Sequence, residues 1–173
     1  MNAASPSCSQ PITLGPGDTA RAKLAEHARY RIGKSSGQDM SKLSDCESVD
    51  LIQYLLFPNL SPWAGQATPL VYRFRPNGDN PEESILEIMM LFAKAPDGSH
   101  PPPVKVTQIG IADSWHQVPG IGSAADVTDQ DTDNLKRMQR GLRASKRPGV
   151  MFSNYQESRI RHFHRTLDQY MAK

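Results

Sequence analysis

The sequence predicts an α+β fold, in which antiparallel strands are followed by packed helices. Three observations lead to this prediction. Strand-like alternation of side chains is concentrated between residues 70 and 94, helix-like periodicity follows at 129–145 and 154–171, and no long internal repeat is visible. A chain of 173 residues is also long enough for one domain with a hydrophobic core.

The N-terminal third is predicted to hold a leader, two helices and one strand. Residues 1–17 are rich in Ser, Pro and Gly, so we expect a flexible leader and a folded domain over 18–173. A helix is predicted over 18–33, with Asp18 as its N-cap and Gly33 at its end. The pattern Ser44-x-x-Glu47 is typical of a capping box and predicts a second, short helix. The apolar run 54–57 then predicts a buried strand.

The central segment predicts an antiparallel hairpin. Residues 70–75 and 84–94 alternate in the manner of strands, and the turn-forming segment 76–81 separates them. Residues 104–111 are a third, shorter strand candidate.

The C-terminal part predicts two helices. The first, at about 129–145, is ended by Pro148-Gly149. The second, at about 154–171, has Ser153 and Gln156 as a capping-box pattern. Its apolar residues recur at a spacing of three or four, so we expect this stripe to pack on another element.

Composition excludes several classes of function. The net charge of +2 gives no support for nucleic-acid binding, and the basic residues of the two C-terminal helices fit solvated faces or subunit contacts. No apolar run approaches the roughly 20 residues of a membrane helix, and no secretory signal is visible. Two cysteines, Cys8 and Cys46, are too few for a disulfide framework, which favours a reducing cytoplasm.

Common catalytic motifs are absent from the sequence. There is no nucleotide-binding glycine pattern and no nucleophile elbow around Ser114 or Ser153. His162 and His164 lie two residues apart, so on a helix they point about 200° apart and cannot hold one ion.

The most informative segment is the acidic cluster Asp129, Asp131 and Asp133. One interpretation is that these side chains begin a helix, where carboxylates favour the positive end of the helix dipole. The other is that one of them is an iron ligand. A non-haem Fe(II) oxygenase site needs two imidazoles and one carboxylate on one face of the metal. Spacing alone leaves both interpretations open.

Several strings resemble the catalytic domain of the large (alpha) subunit of Rieske-type aromatic-ring-hydroxylating oxygenases, in the family's order. They are residues 56–63, which contain Phe57-Pro58-Asn59; residues 71–76; the acidic segment 129–135; residues 139–142; and residues 154–164. Together they cover the C-terminal half of that domain, over roughly residues 40–172.

The resemblance implies a helix-grip fold (Bet v 1-like, SRPBCC), with an antiparallel sheet around a long C-terminal helix, here incomplete. It implies that Asp131 is the carboxylate ligand of a mononuclear Fe(II), because the family's ligand lies three residues before the asparagine that here is Asn134. It also implies a substrate pocket, which would be lined by Gln53, Trp63, Ile121 and Val127.

The resemblance further implies a reaction and partners. An aromatic compound would be hydroxylated with dioxygen and NAD(P)H-derived electrons, supplied by a ferredoxin or reductase through a [2Fe–2S] cluster, in an enzyme that can be a homotrimer. The family's Rieske domain and its two histidine ligands have no match in this sequence. We therefore expect a partial oxygenase that provides one iron ligand and is inactive alone.

Two alternatives remain open at this point. The first is a metal-free helix-grip module that binds an apolar ligand in a closed cavity. The second is a structural remnant that pairs with an upstream chain.

Overall fold

The computed structural model describes residues 12–65, 69–91, 94, 96–99, 103–122 and 124–172. The described residues divide into two compact units, one within 12–99 and the other within 103–172. Helices and an antiparallel sheet are both present, which confirms the α+β class. Most of the predicted leader lies outside the described residues, so its boundary at residue 17 stays a prediction.

Helix α1 spans Ala20–Ser36 and differs from the prediction at both ends. Its N-cap is Thr19, whose Oγ1 accepts a hydrogen bond from the Ala22 amide at 3.2 Å. Asp18 is not the cap, because its carboxylate accepts from the Gly15 amide at 2.8 Å and closes the preceding turn. The helix ends at Ser36 and not at the predicted Gly33; its C-cap is Gly37, whose φ of 70° is left-handed and favours glycine.

Helix α2 spans Asp45–Val49 and confirms the predicted capping box. The Glu47 amide donates to Ser44 Oγ at 3.2 Å, and the Ser44 amide donates to Glu47 Oε2 at 2.9 Å. Arg29 of α1 donates to Asp45 Oδ1 at 2.9 Å, which ties the two helices together.

Within the described residues, the sheet has four strands in the order β1-β2-β3-β4, and all neighbours are antiparallel. The strands are β1 Ile52–Gln53, β2 Leu60–Ala64, β3 Leu70–Asn77 and β4 Asn80–Met90. The predicted hairpin is confirmed as β3 and β4, although β4 begins at Asn80 rather than at residue 84. Gly78, with a φ of 62°, lies in the turn between them.

Residues 54–57 do not form the buried strand that we predicted. Tyr54 and Leu56 do pair with β2. The Tyr54 amide donates to Pro62 O at 2.9 Å, and the Leu56 amide donates to Leu60 O at 2.7 Å. Their side chains are nevertheless about half exposed. The prediction that this apolar run is buried is therefore wrong for Tyr54, Leu55 and Leu56, whereas Phe57 is half-buried.

The second unit holds a short 3₁₀ helix, Trp115–Gln117, and two long helices, α3 Ala124–Ala144 and α4 Ser158–Met171. The prediction of a third strand at 104–111 is wrong, because residues 103–110 form neither a helix nor a strand. Helix α3 begins at Ala124 rather than at residue 129, and α4 begins later than residue 154. Ser153 does contribute near the start of α4, but its Oγ accepts from the Glu157 amide instead of pairing with Gln156.

Few apolar residues are buried in the described part of the chain. The buried set is Ala25, Ala28, Met40, Leu70, Val71, Ile121 and Ala125. Helix α4 has no buried residue, so the expected packing of its apolar stripe is found only in part. In that stripe Phe163 and Leu167 are half-buried, whereas Ile160, Tyr170 and Met171 are exposed. None of the described helices is long and apolar enough to cross a membrane.

Candidate functional site

The acidic cluster lies inside helix α3 and not at its start. Because α3 begins at Ala124, only Asp126 falls in the first turn. Asp129, Asp131 and Asp133 are therefore too far along the helix to stabilise its N-terminus by the dipole, an effect confined to the first turn. The helix-start interpretation of the cluster is wrong.

Asp129 is a half-buried residue that uses both carboxylate oxygens within the chain. Its Oδ2 accepts from Ser114 Oγ at 2.6 Å, and its Oδ1 accepts from the Trp115 amide at 2.8 Å. The hydroxyl of Ser114, and then the Trp115 amide, lower the pKa of Asp129. Asp129 thus holds the 3₁₀ helix against α3.

Asp133 is paired along the helix itself. Its Oδ2 lies 2.7 Å from Arg137 Nη2, and its Oδ1 lies 3.5 Å from Lys136 Nζ. The hydrogen bond from Arg137 lowers the pKa of Asp133. This i,i+4 arrangement is typical of a solvated helix surface.

Asp131 differs from both neighbours. It is exposed, and its carboxylate has no hydrogen bond or ion pair within the described ranges. Of the three carboxylates in the cluster, it is the one that local structure leaves available for a ligand.

Asp131 lies in the middle of an exposed apolar stripe. We call the α3 stripe the residues Val127, Asp131, Leu135, Met138 and Leu142, which follow one another at helical spacings of three or four. Its four apolar members are between 52% and 58% exposed. Val127 and Leu135 flank Asp131 by one turn on either side, so a single carboxylate interrupts an otherwise apolar surface.

A neighbouring face of α3 is covered by the preceding segment. We call residues 111–121 the strap. Lys136 Nζ donates to Ile111 O at 3.1 Å, and His116 Nε2 lies 3.0 Å from Asp126 Oδ1. Ile121, at the end of the strap, is buried, as is Ala125 on α3.

The strap was missed in the sequence. The available signal was Ser114, because serine is a common N-cap and here caps the 3₁₀ helix. That signal does not identify Asp129 as the partner, because the two lie fifteen residues apart.

The other predicted pocket residues fall into two groups. Gln53 on β1 and Trp63 on β2 are opposite each other in the antiparallel register, so their side chains share a face of the sheet. The Trp63 ring meets Tyr72 edge to face, with centroids 6.1 Å apart, and its buried Nε1 has no partner in the described region. Val127 shares a surface with Asp131, whereas Ile121 is buried at the end of the strap; both belong to the other compact unit.

The described residues do not form a complete metal centre. Among them there is no group of three or more His, Cys, Asp or Glu side chains that could hold an ion. His116 is engaged with Asp126, and His164 stacks on Phe152 with ring centroids 5.3 Å apart. A lone carboxylate does not provide the two imidazoles that a non-haem Fe(II) site requires.

The chain matches the model of a protein family. The model of the ring hydroxylating alpha subunit (catalytic domain) matches residues 5–173, which includes part of the segment predicted as a leader. No curated protein and no solved structure matches the chain. The open antiparallel sheet with helices is consistent with the helix-grip fold of that catalytic domain. Because the match extends over nearly the whole sequence, the chain belongs to the family of ring hydroxylating alpha subunits, within their catalytic domain.

Proposed function

We propose that this chain is part of the large subunit of a Rieske non-haem iron oxygenase that hydroxylates an aromatic compound. Dioxygen would be the oxidant, with electrons derived from NAD(P)H through a ferredoxin or reductase and a [2Fe–2S] cluster. Within it, Asp131 is the carboxylate ligand of the mononuclear iron. The proposal includes a cytoplasmic location, a homotrimeric enzyme and a role in aromatic hydrocarbon catabolism.

The surroundings of Asp131 carry this proposal. Asp129 and Asp133 are engaged by other side chains, whereas Asp131 is unpaired in the described residues and is flanked by Val127 and Leu135. When another polypeptide surface covers the α3 stripe, this carboxylate loses its water. A carboxylate removed from water must be paired with a cation or bind a metal, or else take up a proton.

Two imidazoles beside Asp131 would complete the ligand set that Fe(II) oxygenases use. The iron, when bound, supplies the activation of dioxygen. The residues of this chain provide the environment. Val127 and Leu135 exclude water around the carboxylate. Gln53 and Trp63 remain proposed substrate-binding residues, as a polar amide and an aromatic ring that suit an aromatic compound.

The two imidazoles are not among the described residues near Asp131, so we propose that they come from another part of the alpha subunit. On this proposal the chain alone retains far less than one iron per molecule after loading with Fe(II), because one monodentate carboxylate competes poorly with water. It is correspondingly inactive alone.

The test is co-expression of the chain with an alpha-subunit segment that carries the two histidine ligands and the Rieske cluster. Mononuclear iron content and hydroxylated product are measured for the unaltered complex and for Asp131→Asn. We expect this substitution to remove both iron and product, because an amide is a weak neutral ligand.

Asp133→Asn is the matched control, since it changes the same residue type on the same helix but disturbs a surface ion pair. It should leave iron content nearly unchanged. Full iron retention in Asp131→Asn, or equal loss in both variants, would exclude Asp131 as the ligand. Stoichiometric iron and activity in the chain alone would exclude the need for added histidines.

A metal-free module that binds an apolar ligand would need an enclosed cavity. Two hollows formed by described residues, of about 610 Å³ and about 470 Å³, are both open to solvent. The first lies beside the β3–β4 turn and the second beside α1, so neither includes a proposed pocket residue. No observation favours this alternative, nor the structural remnant, over the oxygenase.

A further inference from the structure

The C-terminal end of α3 and the residues that follow it concentrate the positive charge of this chain. Between Asp133 and Glu157 the sequence contains six basic residues and no acidic one. The whole chain has a net charge of +2, so all its other residues together have a net charge of −4. We call four exposed residues of this stretch the basic patch: Arg140, Arg143, Lys146 and Arg147.

Local structure accounts for only part of this positive charge. The two basic residues that precede the patch both pair with Asp133. Arg143 lies in the last turn of α3, where the helix dipole favours a cation. Within the described ranges, however, Arg140, Lys146 and Arg147 form no ion pair. The charges of these three side chains are therefore available to a partner.

The basic patch stays accessible when the α3 stripe is covered. An α-helix turns about 100° per residue, so Arg140 points about 180° away from Asp131, nine residues earlier. It also lies roughly 14 Å further along the helix axis. Lys146 and Arg147 follow Ala144, the last residue of α3. Another part of the alpha subunit can thus cover Asp131 and leave the basic patch in contact with solvent.

A positive surface of this kind suits a partner that binds briefly. A permanent subunit contact would bury four cations, and each would lose its water at a high cost unless a carboxylate met it. The centres of stable interfaces are accordingly depleted in charged residues. In a short-lived contact the charges stay largely hydrated, and opposite charge mainly accelerates association. The basic patch therefore favours a transient partner that has an acidic surface.

We propose that the basic patch docks an acidic surface of the protein that supplies electrons to the oxygenase. This inference rests on the proposed function, in which a ferredoxin or reductase passes electrons to the [2Fe–2S] cluster. The donor is oxidised as the cluster is reduced, and it must leave before a reduced copy can replace it. Among the protein partners of the proposed enzyme, it is the one that binds and dissociates in every reaction cycle.

Nucleic acid fits this surface less well than an acidic protein does. A duplex carries one negative charge for about every 1.7 Å of its length, so it would extend beyond the basic patch. It would then meet parts of the chain outside the 134–156 stretch, which together have a net charge of −4. A compact acidic protein can contact the basic patch alone.

The first test measures the binding of an acidic [2Fe–2S] ferredoxin to the purified full chain by isothermal titration calorimetry. We expect the dissociation constant to rise by about tenfold as salt is raised from about 50 to about 200 mM, because salt screens exposed charges. Arg140→Glu with Lys146→Glu should weaken binding at low salt by about tenfold or more and remove most of the salt dependence. Neither side chain has an ion pair to lose in the described part of the chain.

The matched control is Arg31→Glu with Lys34→Glu on α1, which makes the same change in net charge at two exposed residues. This control should leave the affinity for ferredoxin nearly unchanged. No binding at low salt, or equal weakening in the two double variants, would overturn the proposal. Binding of a short DNA duplex as tightly as the ferredoxin would overturn it too, because the patch would then be a nucleic-acid site.

The second test is electron delivery in the chain co-expressed with the alpha-subunit segment that carries the histidine ligands and the Rieske cluster. Product formation is driven by NADH, a reductase and the ferredoxin, whose concentration is varied. Arg140→Glu with Lys146→Glu should raise the KM for ferredoxin by about tenfold and leave kcat nearly unchanged. Reduction of the cluster by dithionite needs no docking, so it should be equal in the variant and the unaltered complex, as should the iron content.

These measurements separate the docking site from the role proposed for Asp131. Ferredoxin binding that depends on the basic patch, in a complex without mononuclear iron or product, would support the docking site and refute the iron ligand. Iron and product with a KM for ferredoxin that is unaffected by the two substitutions would refute the docking site alone. Loss of iron in the patch variant would also contradict docking, because the patch would then serve the fold or the iron.

Discussion

Three aspartates of α3 show how strongly the surroundings of a residue determine its role. Asp129 holds the strap, Asp133 pairs with Arg137, and Asp131 has no partner in the described part of the chain. Sequence alone could place the three carboxylates together, and the family resemblance could select Asp131. The sequence could not show that Asp129 and Asp133 are already engaged, because the partner of Asp129 comes from a different element.

We expect Asp129→Asn to lower the urea midpoint of unfolding more than Asp131→Asn or Asp133→Asn does. An amide can accept one hydrogen bond, but it then directs an NH₂ group at the remaining donor, Ser114 or Trp115. Loss of hydrogen-exchange protection at the Trp115 amide should accompany the shift. If Asp131→Asn were the most destabilising of the three, Asp131 would have a structural role.

The β3–β4 hairpin is the element that sequence predicted best. Its strands alternate locally and its turn contains Asn77-Gly78, so both signals lie within a short stretch of chain. The segment 104–111 alternates as well, but a strand needs a neighbour to pair with, and no described residue pairs with this segment. Local pattern is therefore sufficient for a hairpin and insufficient for an isolated strand.

An ion-pair cluster gives the hairpin a pH dependence. Glu87 accepts hydrogen bonds from Arg73 and from Arg75 Nε, the latter at 2.8 Å, and these lower the pKa of Glu87 from 4.5 to about 2. Because the pKa of Glu87 in the folded chain lies below its ordinary value of 4.5, the ionised carboxylate stabilises the fold above pH 4.5. This stabilisation is lost as the pH falls from 4.5 towards 2. Glu87→Gln should therefore reduce the change in unfolding midpoint over that interval. An identical pH profile for the variant would contradict this role.

The capping box of α2 makes a second prediction at the scale of one element. Ser44→Ala removes the acceptor for the Glu47 amide and should lower the free energy of unfolding by about 1 kcal/mol. Ser41→Ala is a suitable control, because Ser41 contacts Asp39 through its amide and its side chain on an exposed turn but caps no helix. Chemical denaturation of both variants measures the difference, and equal losses would argue against the cap.

For the whole molecule, the decisive feature is how little apolar surface the described residues bury. Leu70 is 9% exposed, whereas Leu142 on the α3 stripe is 53% exposed. We expect Leu70→Ala to cost about 2–4 kcal/mol and Leu142→Ala to cost less than about 1 kcal/mol in the chain alone. Urea denaturation provides both values. A large loss for Leu142→Ala would mean that the α3 stripe is already covered in solution.

The sequence by itself determined the α+β class, the hairpin, the capping box and the family, because each depends on short-range pattern or on strings in a fixed order. Only the tertiary structure decided where α3 begins, which aspartates are engaged, and that residues 54–56 are exposed while the α4 stripe is at most half-buried. The physical reason is that burial and pairing depend on what lies opposite a side chain. Periodicity shows which face of an element is apolar, but it cannot show whether anything covers that face.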